Sequence, residues 1–488
     1  MIWVDTWLWF WVLLLASAEC RCLVVVVLRW RLPNPHRPEP RSDAHDSRQW
    51  PAITLQIPAY REDRVLPRLL AAIDRLDYPR DRLSVQVLDD TEEPQAQRTR
   101  DALQPHQTAG RVRFEYLRRP DRRGFKAGNL NHGTTFATAP LIAILDADCV
   151  PEPGFLRALV PYFDDPSVGA VQARWGYLND RKNPLTLAQG AILDTLFCFE
   201  SELRKRRSES GFFLGTGGIW RRETIVGLGG WEERFTAEDF DLSYRARMAG
   251  WRIAYEDQCL LSCELPATYL AYKSQQRRWA RSFVQLFRDH ARQLPRQGKI
   301  GVLEATLLLR EAAALVWVPL TITMAATSIA DLRRTDAALA ANATLTALCI
   351  LSPTLLMLVL SQKLLHRDWW ARARAITRAV PLLIGLSVAL WGGVAEAFFG
   401  KRREWAKTLR EGEVGTLKGS AARWRNSAIG VALGELLLGV LASVGLACAV
   451  AQGRWESWVL LALSSWAYLV SASTSWREIT AMKQAPAS

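Results

Sequence analysis

The chain has 488 residues, with 62 Lys and Arg against 49 Asp and Glu, a formal net charge of +13, and 49% hydrophobic residues. Its length holds a full catalytic domain and leaves residues over for other uses. The basic residues flank apolar runs instead of marking one soluble face, which fits membrane topology and anionic lipid and argues against nucleic acid as partner. The cysteines are Cys20, Cys22, Cys149, Cys198, Cys259, Cys263, Cys349 and Cys448. They show no zinc spacing with a nearby His and no disulfide framework, so free buried thiols in a reducing compartment are expected.

The first apolar run, Ile2 to Leu28, exceeds a signal-peptide core and has no basic start. It predicts a transmembrane helix over 1–30, closed on the cytoplasmic side by Arg29 and Arg31. Glu19 and Arg21 interrupt it, either as a local pair or in a polar seam of a bundle. Residues 31–51, rich in Pro, Arg, Asp and Ser, read as a linker. From 52 to 293 short apolar runs alternate with helical stretches. Ile53–Ile57, Leu83–Leu88, Arg113–Leu117, Leu141–Leu145 and Val168–Gln172 read as buried strands. Val65–Leu76, Asn129–Thr138 and Gly154–Phe163 read as helices. Such alternation predicts an α/β layer with a mostly parallel sheet, whose ligands collect at the carboxyl ends of the strands.

Residues 294–488 read as a membrane region with spans near Ala312–Ala330, Ala337–Ser361, Ile429–Ala451 and Trp458–Ser475. With the first helix this makes five crossings. Ala379–Phe399 is also apolar, but a crossing there would carry the basic segment 401–425 to the wrong side. It contains Pro381, Gly385, Gly392, Gly393 and Glu396, and is expected to be interfacial.

Several strand ends carry acids. Leu141–Leu145 runs into Asp146-Ala147-Asp148, and in an extended chain residues two apart point the same way. Two hard oxygen donors suit Mg²⁺ or Mn²⁺, with a diphosphate completing the coordination. A solvated acidic loop would look the same in isolation. Leu83–Leu88 runs into Asp89-Asp90-Thr91, which can bind a base or ribose hydroxyl or can cap a helix. Glu238, Asp239 and Asp241 open a helical stretch, as dipole partners or with one acting as a general base. Gln275-Gln276-Arg277-Arg278-Trp279 offers a phosphate fork and a flat apolar face for a pyranose, or an interfacial anchor.

In this order, these stretches resemble the membrane-integrated family 2 glycosyltransferases of the cellulose synthase and β-mannan synthase group. The resemblance runs from Ile53 to Arg410 and also takes in Gln56–Glu62, Gly124–Leu130, Gln172–Trp175 and Gly215–Trp220. It implies a GT-A-type, Rossmann-like α/β domain inserted between transmembrane helices. Asp89, Asp90, Lys126 and Asp146 would bind the nucleotide sugar, and Asp146 and Asp148 would hold Mg²⁺ or Mn²⁺. Asp239 would be the catalytic base. Gln275, Arg278 and Trp279 match the Gln-x-x-Arg-Trp signature, Gln275 and Arg278 on the donor side and Trp279 stacking on the acceptor, with Trp220 also near the acceptor. Glu404–Arg410, within 400–425, resembles a gating loop whose Thr408 and Arg410 reach the donor. Departures are Arg61 where Asn is usual, Ala237 where Thr or a hydrophobic residue is usual, and Arg410 where Lys is usual.

The implied activity is inverting transfer of a hexose from UDP-glucose or GDP-mannose to a growing β-linked glycan, processive and coupled to export. The protein would be integral to the membrane (the inner membrane in a bacterium), with its catalytic domain cytoplasmic. A non-processive lipid glycosyltransferase of the ceramide type is the alternative. Accessory export subunits, donor and linkage are left open by the residues.

Overall fold

The computed structural model describes residues 2–33, 50–109, 112–207, 210–290, 315–330, 352–399 and 421–484. The chain divides into two compact units. One comprises Leu28–Leu178 and Leu196–Leu265; the other comprises Met1–Val27, Asn179–Thr195 and Pro266–Ser488.

The first unit is built on an eight-stranded sheet. Its strands are β1 (Ile53–Ala59), β2 (Leu83–Asp89), β3 (Arg113–Leu117), β4 (Leu141–Ile144), β5 (Cys149–Pro151), β6 (Val168–Tyr177), β7 (Gly218–Arg221) and β8 (Arg252–Cys263). Their order across the sheet is β3-β2-β1-β4-β7-β6-β8-β5. β3, β2, β1 and β4 are mutually parallel. β7 runs antiparallel to both β4 and β6, and β5 antiparallel to β8, so the sheet is mixed. The parallel strands are near-continuous apolar runs because both faces are covered. Ile53, Leu55, Ile57, Val85 and Val87 pack with Leu69, Leu70, Ile73 and Phe155 on one side. Leu88, Ile142, Ile144 and Ala170 pack with Leu130, Phe213, Trp220 and Trp231 on the other. Each such large side chain contributes about 1.5–3 kcal/mol on burial.

All five expected strands are present, with ends shifted by up to five residues. The helix Gln95–Ala109 and strands β5, β7 and β8 were not expected. Gln95–Ala109 buries only Ala96, Thr99 and Leu103, too thin an apolar stripe for periodicity to reveal. The parallel half places the ends of β1, β2 and β4 on one edge, where Asp90 N–H donates to the Ala59 carbonyl at 3.0 Å. β1 joins strands wound in opposite directions, β2 on one flank and β4 on the other, the usual position of a ligand crevice in such sheets.

One expectation is corrected. Cys149 and Cys263 form a disulfide, while Cys20, Cys22, Cys198, Cys259 and Cys448 are free among the described residues. The pair are 114 residues apart in sequence and become direct partners only through the β5–β8 ladder.

The second unit is helical. Three of its helices have the length and apolarity of membrane spans: Trp9–Arg31, Trp369–Phe399 and Asn426–Ala451. They mark an integral membrane protein. Trp317–Ile329 and Pro353–Leu365 are shorter apolar helices, and Trp455–Gln484 packs along Ala421–Ala451. Trp369–Phe399 contains the segment expected to be interfacial. Pro184–Thr195 and Tyr269–His290 also belong to this unit.

Polar seams hold these helices. Glu19 accepts from Ser352 Oγ (2.9 Å), Thr354 N–H (2.8 Å) and Thr354 Oγ1 (3.1 Å), so the interruption in the first helix serves a seam. Lys273 Nζ donates to both carboxylate oxygens of Glu435 at 3.0 Å and to Ser475 Oγ at 2.7 Å. Tyr269 Oη donates to the Leu382 carbonyl at 2.8 Å. Gly393 admits the neighbouring helix closely, since a Cβ there would overlap the Arg277 carbonyl oxygen.

Candidate active site

Three segments of the sheet unit meet beyond the end of β4. The first is the start of the helix Phe125–Phe136, which carries Lys126. The second is the turn after β4, which carries Asp146 and Asp148. The third is the start of the helix Glu238–Met248, which carries Glu238 and Asp239.

The loop Phe213–Gly217 brings them together. Lys126 Nζ donates to Asp146 Oδ1 at 2.6 Å and to the Gly215 carbonyl at 2.8 Å, and lies 3.9 Å from Glu238 Oε1. Gly215 has φ +80°, and a Cβ there would stand 3.1 Å from Asp239 Oδ2. Thr216 Oγ1 accepts from the Asp146 N–H at 2.9 Å. Gln172 braces the loop: its Nε2 donates to the carbonyls of Thr216 (3.0 Å) and Gly217 (3.2 Å), and its Oε1 accepts from Leu214 N–H (2.8 Å). Ser243 Oγ accepts from Phe213 N–H (2.9 Å) and donates to the Asp239 carbonyl (2.7 Å), fixing the loop to the helix that presents the acid.

The electrostatics follow from this enclosure. Burial and the neighbouring Glu238 carboxylate push Asp239 up to about 7, against the pull of Lys126. Burial acts against the Lys126 ammonium, but Asp146 and Glu238 outweigh it and raise its pKa. A carboxyl poised near neutrality beside a fixed cation suits a base working at physiological pH.

The acid pair after β4 sits differently from the pleat argument. β4 ends at Ile144, and Cys149 N–H donates to the Asp146 carbonyl at 3.1 Å, so the two acids lie on a turn and strand alternation does not set their directions. Asp148 is buried, and its carbonyl accepts from Arg68 Nη2 at 3.1 Å. Among the described residues no three His, Cys, Asp or Glu side chains gather as a metal site. Asp146 and Asp148 contribute two hard carboxylates, the donor type that a divalent cation takes.

At the ends of β1 and β2, Asp89 is fully buried. Its Oδ1 accepts from Thr91 N–H (2.9 Å) and its Oδ2 from Tyr116 Oη (3.1 Å), so it supports this edge from beneath. Burial and Asp89 push Tyr116 up to about 12. Asp90 is paired with Arg119, a residue the motif reading passed over. Tyr60 lies beside them, with the Arg122 guanidinium carbon 3.2 Å from its ring centroid.

Trp220 is fully buried in β7 against Phe213 and Trp231, with ring centroids 5.5 and 5.9 Å away. Gln275, Arg278 and Trp279 lie in the helical unit on Tyr269–His290. Their i, i+3, i+4 spacing sets them on one helix face, with Trp279 40% exposed. Thr408 and Arg410, and residues 400–420 of the expected gating segment, lie outside the described residues.

Residues 51–282 match the family described as "Glycosyltransferase like family 2". This segment is similar to family 2 glycosyltransferase domains. Among relatives, the probable glucomannan 4-beta-mannosyltransferase 7 of Oryza sativa subsp. japonica is 39% identical over 247 residues, covering 50% of this chain and 42% of the relative. The glucomannan 4-beta-mannosyltransferase 2 of Arabidopsis thaliana is 34% identical over 278 residues, covering 56% of this chain and 52% of the relative. The chain thus spans about half the length of the curated relatives it matches. Among solved structures, the mannosyltransferase PcManGT from Pyrobaculum calidifontis, in complex with GDP-Man and Mn²⁺, aligns with TM-score 0.56 at 22% identity, over 81% of this chain and 99% of that one. That alignment establishes the GT-A-like mixed-sheet core.

Proposed function

We propose that this protein is an inverting, metal-dependent membrane glycosyltransferase. It transfers a hexose from a nucleotide sugar, GDP-mannose or UDP-glucose, to a growing β-linked polysaccharide, processively and with export. The observation that carries this reading is the meeting of Lys126, Asp146 and Asp239 around Gly215. The names of the plant relatives, and the donor and cation bound by PcManGT, support the substrate class.

Asp239 takes the proton of the acceptor hydroxyl as that oxygen attacks the anomeric carbon. The bond from that carbon to the diphosphate oxygen breaks on the opposite face, so an α-linked donor gives a β-linked product. Lys126 would offset charge on the departing diphosphate. Asp146 and Asp148 would hold Mg²⁺ or Mn²⁺, which would supply further positive charge there when bound. Gln275 and Arg278 contact the donor, Trp279 stacks on the acceptor end, and Thr408 and Arg410 close over the nucleotide and exclude water. Arg29 and Arg31 at the end of the first helix support a cytoplasmic catalytic domain, and an interfacial 379–399 would keep the basic segment after it on the same side.

Purified full-length protein with Mg²⁺ or Mn²⁺ and a panel of labelled nucleotide sugars tests the proposal. Polymeric β-linked product is expected, identified by linkage analysis. Single-sugar lipid products alone would reject processivity and support the ceramide-type alternative. No turnover of any nucleotide sugar would reject the assignment.

A further inference from the structure

The loop joining β3 to the helix Phe125–Phe136 carries an arginine that the mechanism above leaves unused. Arg119 Nε donates to Asp90 Oδ1 at 2.7 Å and Nη2 to Asp90 Oδ2 at 2.7 Å, the forked pairing that fixes both groups in one plane. The two side chains are 8% and 4% exposed. The same guanidinium reaches along the loop. Nη2 also donates to the Phe125 carbonyl at 2.8 Å, and Nη1 donates to the Arg123 carbonyl.

Those carbonyls flank a turn in which two successive residues are left-handed, Gly124 at φ 70° and Phe125 at φ 49°. A bulky residue in that region persists only where its surroundings hold it. The next residue is Lys126. Gly128 completes the arrangement, because a Cβ there would overlap both the Arg123 carbonyl oxygen and Arg119 Nη1. The glycine of Lys126-Ala127-Gly128 therefore leaves the space that the guanidinium occupies.

Resting on the donor reading above, we propose that Arg119 is a positioning residue for the nucleotide sugar. It ties Asp90, at the base and ribose end, to the turn that presents Lys126 at the diphosphate end, so the two ends of the donor subsite are set as one unit. A lysine keeps the charge but has no fork and cannot serve two carboxylate oxygens and two carbonyls at once.

The test is kinetics on purified full-length protein with whichever donor the wild type uses. Inhibition is measured with the matching nucleoside diphosphate, the nucleoside alone and inorganic pyrophosphate alone. In Arg119→Lys, the donor KM and the nucleoside diphosphate Ki should rise about 10- to 100-fold. kcat should fall less than about threefold, and the Ki values of nucleoside and pyrophosphate should each move less than about threefold. Free guanidinium ion should lower the KM of Arg119→Ala. Arg119→Gln, whose amide keeps one planar donor nitrogen but loses the fork, should reproduce the pattern and keeps the test open if Arg119→Lys misfolds. An unchanged nucleoside diphosphate Ki, a pyrophosphate Ki weakened as much as that of the diphosphate, or a fall in kcat at constant KM would each overturn the positioning role in an active enzyme. A wild type that uses no nucleotide sugar would instead overturn the donor reading itself.

Discussion

Lys126 Nζ stands 2.6 Å from Asp146 Oδ1 and donates at the same time to the Gly215 carbonyl at 2.8 Å, the residue against which Asp239 packs. One ammonium thus links the turn after β4 to the helix that presents Asp239. Neither element can shift without disturbing the other, which makes the group testable residue by residue.

Asp239→Asn keeps the size of the side chain and removes its basicity. Turnover should fall about 10²- to 10⁴-fold, the usual contribution of a positioned base. Donor affinity, measured by equilibrium binding of the nucleotide sugar, should remain near wild type. Full turnover in this variant would show that another group takes the proton.

The pH profile should report the same carboxyl. With Asp239 pushed up to about 7, it is protonated and inactive as a base below that value, so kcat/KM should rise as pH increases through about 7. Glu238 is the neighbouring charge that raises it. Removing that negative charge in Glu238→Gln favours ionisation of Asp239, so the acidic limb should move to lower pH. A limb that stays in place would assign it to a different group.

The proposed metal dependence rests on the two acids on the turn after β4. Asp148→Ala, or excess EDTA, should abolish transfer, and Mg²⁺ or Mn²⁺ should restore it only in the EDTA-treated wild type. Full activity in excess chelator would remove the cation from the mechanism.

In the helical unit, Lys273 and Glu435 are 5% and 0% exposed and are joined with Ser475 by four hydrogen bonds. Lys273→Met should cost about 3–5 kcal/mol, because it leaves a buried carboxylate without its cation. The double variant Lys273→Met/Glu435→Leu should recover most of that loss in thermal unfolding of the detergent-solubilised protein. A double variant no more stable than the single one would show that the pair does more than neutralise itself.

Apolar runs determined the five expected strands, since residues such as Ile53–Ile57 and Val85–Val87 are stable only when covered on both faces. They also determined the long membrane helices Trp9–Arg31 and Asn426–Ala451. The acids after β2 and β4 and at the start of the helix Glu238–Met248 were legible for a related reason: charge placed directly after a buried run must lie at an element's end. Tertiary structure alone decided what those ends do. Asp89 turned inward to Tyr116, Trp220 entered the core, and Cys149 met Cys263 across a ladder, all through partners distant in sequence. Arg119 is not marked in the sequence because its partners, a carboxylate and two carbonyls, are gathered only by the folded loop. Periodicity records whether a side chain is buried; which partner it meets is set by packing between segments far apart in the chain.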